Sequence, residues 1–165
     1  MRAAVTGAAL LAWIGVLARF GASDRALVGL VFFAFLAVLT VTDLEQRRLP
    51  NTIVIPGALI VLALQIALVP ERALEWVLAS LITFLALLVV SAISRGGLGM
   101  GDVKLGLLLG AGLGAAVLPG LVVGMCAAGL YAVVLLARHG SAARSETLPY
   151  APFLVFGAVV AFLFF

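Results

Sequence analysis

Long apolar runs, separated by short polar or glycine-rich breaks, follow one another along the whole chain. A membrane-spanning helix needs about 20 mostly apolar residues, with a range of about 17 to 25. Seven runs come close to that length: 3–20, 26–42, 52–69, 73–94, 103–118, 120–137 and 148–165. Leu, Ala and Val dominate them without the alternation that is typical of barrel strands. Because backbone groups in lipid must pair within their own segment, we predict an all-α, polytopic transmembrane helical bundle of about six to seven spans.

The composition supports this membrane class. The chain has 165 residues, of which 65% are hydrophobic and 10% are charged, and its mean hydropathy is +1.34. A soluble domain carries about 25% charged residues, and a small one buries only about two-thirds of the surface of its unfolded chain. A soluble fold could not hide so much apolar surface. No linker or repeat interrupts the chain, so we predict a single membrane-embedded domain over residues 1–165.

The charged residues exclude two other classes of protein. The net charge is +3, but the basic residues are scattered between apolar runs and form no dense patch, so we expect no nucleic-acid partner. The single cysteine, Cys126, excludes an intrachain disulfide framework and a multi-cysteine zinc module. We expect the lipid bilayer as the surroundings, no metal and no cofactor. The sequence does not indicate an oligomeric state.

The basic residues also predict an orientation. If loops are assigned to alternate sides, the side of the N-terminus holds more basic residues than the other side, which holds Arg19, Arg25 and Arg72. The members of the larger set are Arg2, Arg47, Arg48, Arg95, Lys104, Arg138 and Arg144. The positive-inside rule then places the first side in the cytoplasm and the C-terminus outside an inner membrane. The first run is also similar to a signal peptide, although Arg19 and Asp24 are unfavourable for its cleavage region, and whether it is retained stays open.

Two aspartates fall on the same predicted cytoplasmic face. Asp43 ends the second apolar run, and Asp102 opens the fifth run after the glycine-rich stretch "RGGLGMG". An ionisable group at membrane depth is costly, so a functional role is the default hypothesis for it. Two carboxylates held close together do not both ionise easily, and one can act as acid and the other as base. Such a pair can activate a water for attack on a peptide carbonyl.

Simpler interpretations stay open for each feature taken alone. Asp102 could be a helix N-cap, where aspartate is strongly preferred. Asp43 could be a juxtamembrane charge balanced by Arg47 and Arg48, and the glycines could form only a flexible connection. The convergence of two separate helix ends on one face favours the catalytic pair.

Three motifs resemble those of one known family. "GMGD", Gly99 to Asp102, followed by Val-Lys-Leu, resembles the second catalytic motif of the type IV prepilin peptidases, which are membrane aspartyl proteases of the Gly-x-Gly-Asp class. "TDLEQRRLPN" is similar to the first motif of that family, matched at Asp43, Pro50 and Asn51. "LPYAPFLVFG" is similar to its late segment of Pro, aromatic, small residue, Pro and Phe. The motifs occur in the family's order within 25–165, whereas presenilin-like proteases share only the Gly-x-Gly-Asp element.

The resemblance implies that Asp43 and Asp102 are the catalytic pair of a leader peptidase. Its substrates would be prepilin-like precursors, such as type IV pilins, flagellar-type proteins or pseudopilins, that carry a short basic leader before a hydrophobic helix. Longer members of the family contain a cytosolic insert with paired Cys-x-x-Cys motifs and also methylate the new N-terminus. This sequence contains no such insert, so the resemblance is to the short form and supports the peptidase activity alone.

The residues around the two aspartates have candidate roles as well. Gly97, Gly99 and Gly101 lack side chains, so an extended substrate backbone could approach Asp102 closely. Lys104 could orient the pair, although an interfacial lysine that extends towards water is the simpler interpretation.

Prolines flank the motifs. We expect Pro50 and Asn51 to shape the site from the first motif. Pro149 and Pro152 should break or redirect the last helix near the site, because proline cannot donate a backbone hydrogen bond. The segment "VLPGL" at 117–121 predicts a tight turn between the fifth and sixth helices.

A small transporter or channel component is the alternative function. Its rim carboxylates would then belong to an ion or proton path, which calls for charged or amide groups at helix centres. The sequence has almost none beyond Gln65, and a purely structural scaffold would not explain the motifs.

Overall fold

A computed structural model describes residues 2–46, 49–93, 99–139 and 151–165, with side chains described for all of these except 2–4 and 139. The described residues contain no strand and form seven α-helices: α1 (Arg2–Phe20), α2 (Asp24–Gln46), α3 (Asn51–Leu68), α4 (Ala73–Ile93), α5 (Met100–Leu113), α6 (Val117–His139) and α7 (Ala151–Phe164). Short 3₁₀ turns, Pro70–Arg72 and Gly114–Ala116, precede α4 and α6. Each predicted apolar run covers most of a different helix, and the fifth run also reaches the first two residues of α6. The predicted helical bundle is therefore confirmed.

The lengths of the helices suit a multi-pass membrane protein. Four apolar stretches are long enough to cross a bilayer: Asp24–Gln46, Asn51–Leu68, Pro70–Ile93 and Met100–Arg138. The last of these contains α5 and α6 in series. Val5–Phe20 and Ala151–Phe164 are shorter apolar helices. Large apolar side chains such as Leu11, Leu74 and Leu130 point outwards from the bundle, as expected for a surface in contact with lipid.

Helix α5 lies at the centre of the bundle, where it packs against α3 and α4 and also touches α2 and α7. Its leucines Leu105, Leu108 and Leu109 are fully buried. A side chain cannot fit at Gly110, because a Cβ there would lie 2.4 Å from the carbonyl oxygen of Ala79 in α4. Small residues allow helix backbones to approach closely in membranes. The position of α5, and therefore of the aspartate at its start, depends on this contact.

The turn between α5 and α6 lies earlier in the chain than the sequence predicts. The chain turns at Gly114, whose φ of +56° belongs to the left-handed region that favours glycine. The predicted turn at 117–121 is wrong, because α6 already begins at Val117. Pro119 lies in the first turn of α6. The first N–H groups of a helix have no carbonyl partner within that helix, so proline, which lacks an N–H, is tolerated there.

Candidate active site

Asp43 and Asp102 line one cavity of about 370 Å³ at one end of the bundle. Asp43 belongs to the last turn of α2, and Asp102 to the first turn of α5. Each residue is only 8% exposed. The lining residues are Asp43, Leu49, Asn51, Gly99, Met100, Gly101, Asp102 and Lys104. The structure therefore brings together the two aspartates that the sequence predicts on one face.

The two residues that precede α3 lie against the start of α5 and the first turn of α3. Pro50 is extended (φ −70°, ψ 128°) and precedes α3. The backbone N–H groups of Ile53 and Val54, in the first turn of α3, donate to the Pro50 carbonyl at 3.0 and 3.1 Å. The side chain of Leu49 packs on Gly101, where an added Cβ would lie 2.9 Å from the Leu49 Cβ. The missing side chain of Gly101 thus makes room for Leu49 of the first motif.

The start of α5 explains how Asp102 is oriented. Gly99 is the N-cap, with an extended backbone (φ −67°, ψ 148°), and Asp102 is the third residue of the helix. The interpretation of Asp102 as the N-cap is therefore wrong. The backbone N–H of Gly99 donates to the Asp102 carboxylate, which is the backward half of a capping box. This bond holds the carboxylate over the start of α5. The carboxylate of Asp102 can still accept further hydrogen bonds.

Asp43 receives a comparable bond from a distant part of the chain. The backbone N–H of Ala151, the first residue of α7, donates to the Asp43 carboxylate. The N-terminus of a helix carries partial positive charge and unpaired N–H groups, and so it attracts a carboxylate. Ala151 was not predicted as part of the site. The only signal that could have indicated it is the small residue between the aromatic residue and the second proline of the late motif.

The two carboxylates lie close enough to interact, and each has an oxygen that is available to accept a hydrogen bond. Asp43 and Asp102 interact electrostatically. Oδ2 of Asp43 and Oδ1 of Asp102 are buried, and neither has a hydrogen-bond partner among the described residues. A buried carboxylate oxygen without a partner is costly. Two of them beside one cavity are therefore well suited to bind a reacting water or a substrate group.

A hydrogen bond joins the first and second motifs directly. The Nζ of Lys104 in α5 donates to the Oδ1 of Asn51 at the start of α3, at 3.0 Å. Both residues line the cavity with the aspartates. Lys104 is therefore bound to the first motif rather than only extending towards water.

The remaining predicted residues fall into three groups. Gly99 is exposed and lines the cavity, so it keeps its predicted place beside Asp102. Pro152 lies in the first turn of α7 and lines a neighbouring apolar cavity of about 420 Å³, together with Thr40 and Leu44 of α2. Gly97 and Pro149 lie outside the described residues. Leu49 and Met100, which were not predicted as site residues, also line the cavity.

Comparison with known proteins identifies relatives along nearly the whole chain. It is 31% identical over 164 residues to the prepilin leader peptidase/N-methyltransferase of Bacillus subtilis (strain 168), covering 95% of this chain and 62% of the relative. It is 32% identical over 162 residues to the protein of that name in Pseudomonas putida, covering 95% of this chain and 56% of the relative. A third relative of that name, in Burkholderia pseudomallei (strain 1026b), is 32% identical over 156 residues, which are 91% of this chain and 50% of the relative.

The chain thus spans between half and about three-fifths of the length of these relatives. No solved structure gives a significant match. The model of the type IV leader peptidase family matches residues 30–165. That range contains Asp43, Asp102 and all three sequence motifs. The chain belongs to the type IV leader peptidase family.

Proposed function

We propose that this chain is an aspartic endopeptidase that removes the leader peptide from prepilin-like precursors at the cytoplasmic face of the inner membrane. The observation that carries the proposal is the pair of buried carboxylates, Asp43 and Asp102, on one cavity. Each carboxylate has one oxygen held by a backbone N–H and one without a partner among the described residues. The named activity of the relatives, prepilin leader peptidase, supports the same reaction for this chain.

The chemistry needs only one proton shared between the two side chains. One carboxylate is ionised and accepts a proton from a water, whose oxygen attacks the carbonyl carbon of the scissile peptide bond. The other carboxyl is protonated and donates its proton to the leaving nitrogen as the C–N bond breaks. The negative charges of two nearby carboxylates oppose each other, which favours this singly protonated form.

The position of the pair at the helix ends suits the proposed substrate. A prepilin-like precursor has a polar basic leader followed by a hydrophobic helix, so its cleavage site lies at the membrane boundary. Asp43 and Asp102 lie in the last turn of α2 and the first turn of α5. The excess of basic residues in the loops on this side supports a cytoplasmic location.

Co-expression with prepilin-like proteins from the same genome tests the proposal. We expect wild type to shorten at least one of them by its leader, measured by mass spectrometry of the product's N-terminus. Asp43→Asn and Asp102→Asn should leave every precursor intact. The matched control is Glu71→Gln, which makes the same carboxylate-to-amide change at an exposed position in the turn before α4. Full cleavage by Asp102→Asn, or no cleavage by wild type of any candidate, would contradict the proposal.

The transporter alternative gains no support from the polar groups inside the bundle. Gln65, buried in α3, donates to the carbonyls of Ala111 and Gly112 at 3.4 Å. The hydroxyl groups of Ser80 and Thr40 donate to carbonyls of their own helices, at 3.0 and 2.7 Å. These side chains satisfy the backbone rather than line an ion path.

A further inference from the structure

An apolar groove extends from the candidate active site into the bundle, between α1, α2 and α7. Its volume is about 420 Å³. Leu44, which follows Asp43, and Pro152, which follows Ala151, line its outer end. Ala151 is the residue whose backbone N–H donates to the Asp43 carboxylate. The groove therefore begins directly beside one of the two aspartates.

The groove follows α2 for about three helical turns. Leu44 and Phe33 are the first and last residues of α2 that line it, and their separation along the chain corresponds to about 16 Å at the rise of an α-helix. At the inner end the ring centroid of Phe33 lies 5.4 Å from that of Phe162 in α7. The ring of Phe20 in α1 lies 5.6 Å from the same Phe162 ring. The three helices thus meet at the end away from Asp43 and leave the groove between them at the end near it.

The groove has apolar walls and opens towards the lipid-facing surface. Leu11 of α1 and Phe156 of α7 line it and are largely exposed, so a hydrophobic segment can enter it sideways from the bilayer. Thr40 is the one polar side chain among the described residues that line it. Its hydroxyl already donates to the carbonyl of Leu36 at 2.7 Å. The groove therefore suits an apolar occupant.

Small side chains on α1 create much of the space. Ala8, Ala9 and Ala12 all line the groove. An engineered cavity of about 150 Å³ holds one benzene ring, so a volume of about 420 Å³ has room for about three large apolar side chains. An amphipathic helix presents about three to four apolar side chains on one face over two turns. The groove thus matches one face of a short stretch of helix.

We infer that this groove binds the start of the substrate's hydrophobic helix, on the mature side of the cleavage site. The inference rests on the proposed peptidase function, in which that helix follows directly after the leader. With the scissile bond at Asp43 and Asp102, the helix has to leave the site from the membrane boundary, and the groove is an apolar path that begins there. Laying one face of a helix into an apolar groove is a common mode of peptide recognition. The acyl chain of a lipid would also suit the walls, but the position of the outer end beside Asp43 favours the substrate.

The inference gives the late proline-containing motif a role beyond the bond from Ala151 to Asp43. Pro152 and Val155 of that motif form part of the α7 wall of the groove. Contacts made there are remote from the reacting atoms and should contribute about equally to binding of the substrate and of the transition state. Changes in the groove should therefore raise KM and leave kcat nearly unchanged.

Cleavage kinetics of the purified full chain in detergent test the inference, with a precursor that wild type cleaves in the co-expression test. Ala8→Phe adds a ring to the groove from an exposed position. We expect its KM to be about tenfold higher, as for the exclusion of one large apolar side chain of the substrate, with kcat within about twofold of wild type. Ala86→Phe, the same change at an exposed position of α4, is the matched control and should behave as wild type does.

Photo-crosslinking identifies the occupant without cleavage. In an Asp102→Asn background, which leaves the precursor intact, p-benzoylphenylalanine in place of Ala8 should crosslink to the precursor. The same probe in place of Ala86 should crosslink to it far less. Crosslinks from position 8 to lipid alone would overturn the inference and assign the groove to an acyl chain.

A second variant guards against misfolding of the first. If Ala8→Phe does not fold, Phe156→Ala removes a wall side chain without adding bulk and should raise KM several-fold. An unchanged KM in a folded Ala8→Phe variant, or in Phe156→Ala where it replaces that variant, would overturn the groove and leave the peptidase proposal standing. Failure of wild type to cleave any precursor would instead overturn the peptidase proposal, and the groove inference with it.

Discussion

Lys104 donates a hydrogen bond to Asn51 at 3.0 Å and so links the two sequence motifs that carry the aspartates. The bond joins the first turn of α3 to the start of α5, on the wall of the cavity that Asp43 and Asp102 share. It ties the positions of the two helix ends to one another. Its removal should change the geometry of the carboxylate pair before it changes the stability of the bundle.

We predict that Lys104→Met lowers the rate of cleavage less than either aspartate variant does. The bond is exposed, so its loss should reduce the free energy of unfolding by no more than about 1 kcal/mol. Lys104→Met and Asn51→Ala each remove the same contact, so the double variant should be no slower than the slower single variant. Fully additive effects on cleavage rate would contradict a direct role for the bond.

We predict that Asp43→Asn and Asp102→Asn abolish cleavage but leave the thermal midpoint unchanged or raised. General acid–base catalysis contributes about 10²- to 10⁴-fold, whereas an amide of the same shape removes the cost of burying carboxylate oxygens without partners. The measurement is thermal unfolding in detergent beside the cleavage assay. A marked fall in the midpoint of both variants would indicate that the aspartates serve the fold instead.

We predict that Gly101→Ala destabilises the protein more than Gly99→Ala does. At Gly101 the new Cβ would lie 2.9 Å from the Cβ of Leu49, a distance that requires the segment to shift. At Gly99 the nearest atom to a new Cβ is the Oδ2 of Asp102 at 3.4 Å, an ordinary contact, and the backbone conformation suits any residue. Thermal unfolding of both variants checks the difference, and equal midpoints would contradict the packing of Leu49 on Gly101.

We predict that Gly110→Ala lowers the free energy of unfolding by about 1–3 kcal/mol or more, as overpacking does. The clash is with backbone atoms of Ala79 and Ser80, which no side-chain rotation can relieve. Gly129→Ala in α6 is the matched control, because a Cβ there meets nothing within 4 Å. Both variants should be compared by the loss of helical circular dichroism on heating. Similar midpoints would contradict the close contact of α4 and α5.

We predict that the two ends of the bundle react differently with a membrane-impermeant maleimide. In a Cys126→Ala background, which removes the exposed native thiol, Glu71→Cys should be labelled in intact cells. Gln46→Cys, near Asp43 at the end of α2, should be labelled only after the membrane is permeabilised. Both positions are exposed on the surface of the protein, so labelling depends only on whether the maleimide reaches that side of the membrane. The opposite pattern would place the aspartates outside the cytoplasm.

The sequence predicted the helices well because their signal is local. The length and apolar content of each run are enough to specify a helix in lipid, where backbone groups must pair within the segment. The turn before α6 was missed because Pro119 and Gly120 have the composition of a turn, yet proline also suits the first turn of a helix. The actual turn depends on Gly114, whose left-handed backbone lies against the ring of Trp76 in another helix.

The membrane class, the presence of two aspartates at predicted helix ends and the resemblance of their motifs to one family can all be read from local patterns in the sequence. Which groups surround those aspartates depends on the tertiary fold. The contact of Leu49 with Gly101, the bond of Lys104 to Asn51 and the N–H of Ala151 at Asp43 all join segments far apart in the chain. A local pattern specifies where a helix begins and which residues it carries. The distance between two helix ends depends on how the helices pack along their whole length, for example on the backbone contact at Gly110. That distance therefore cannot be predicted from any short stretch of sequence.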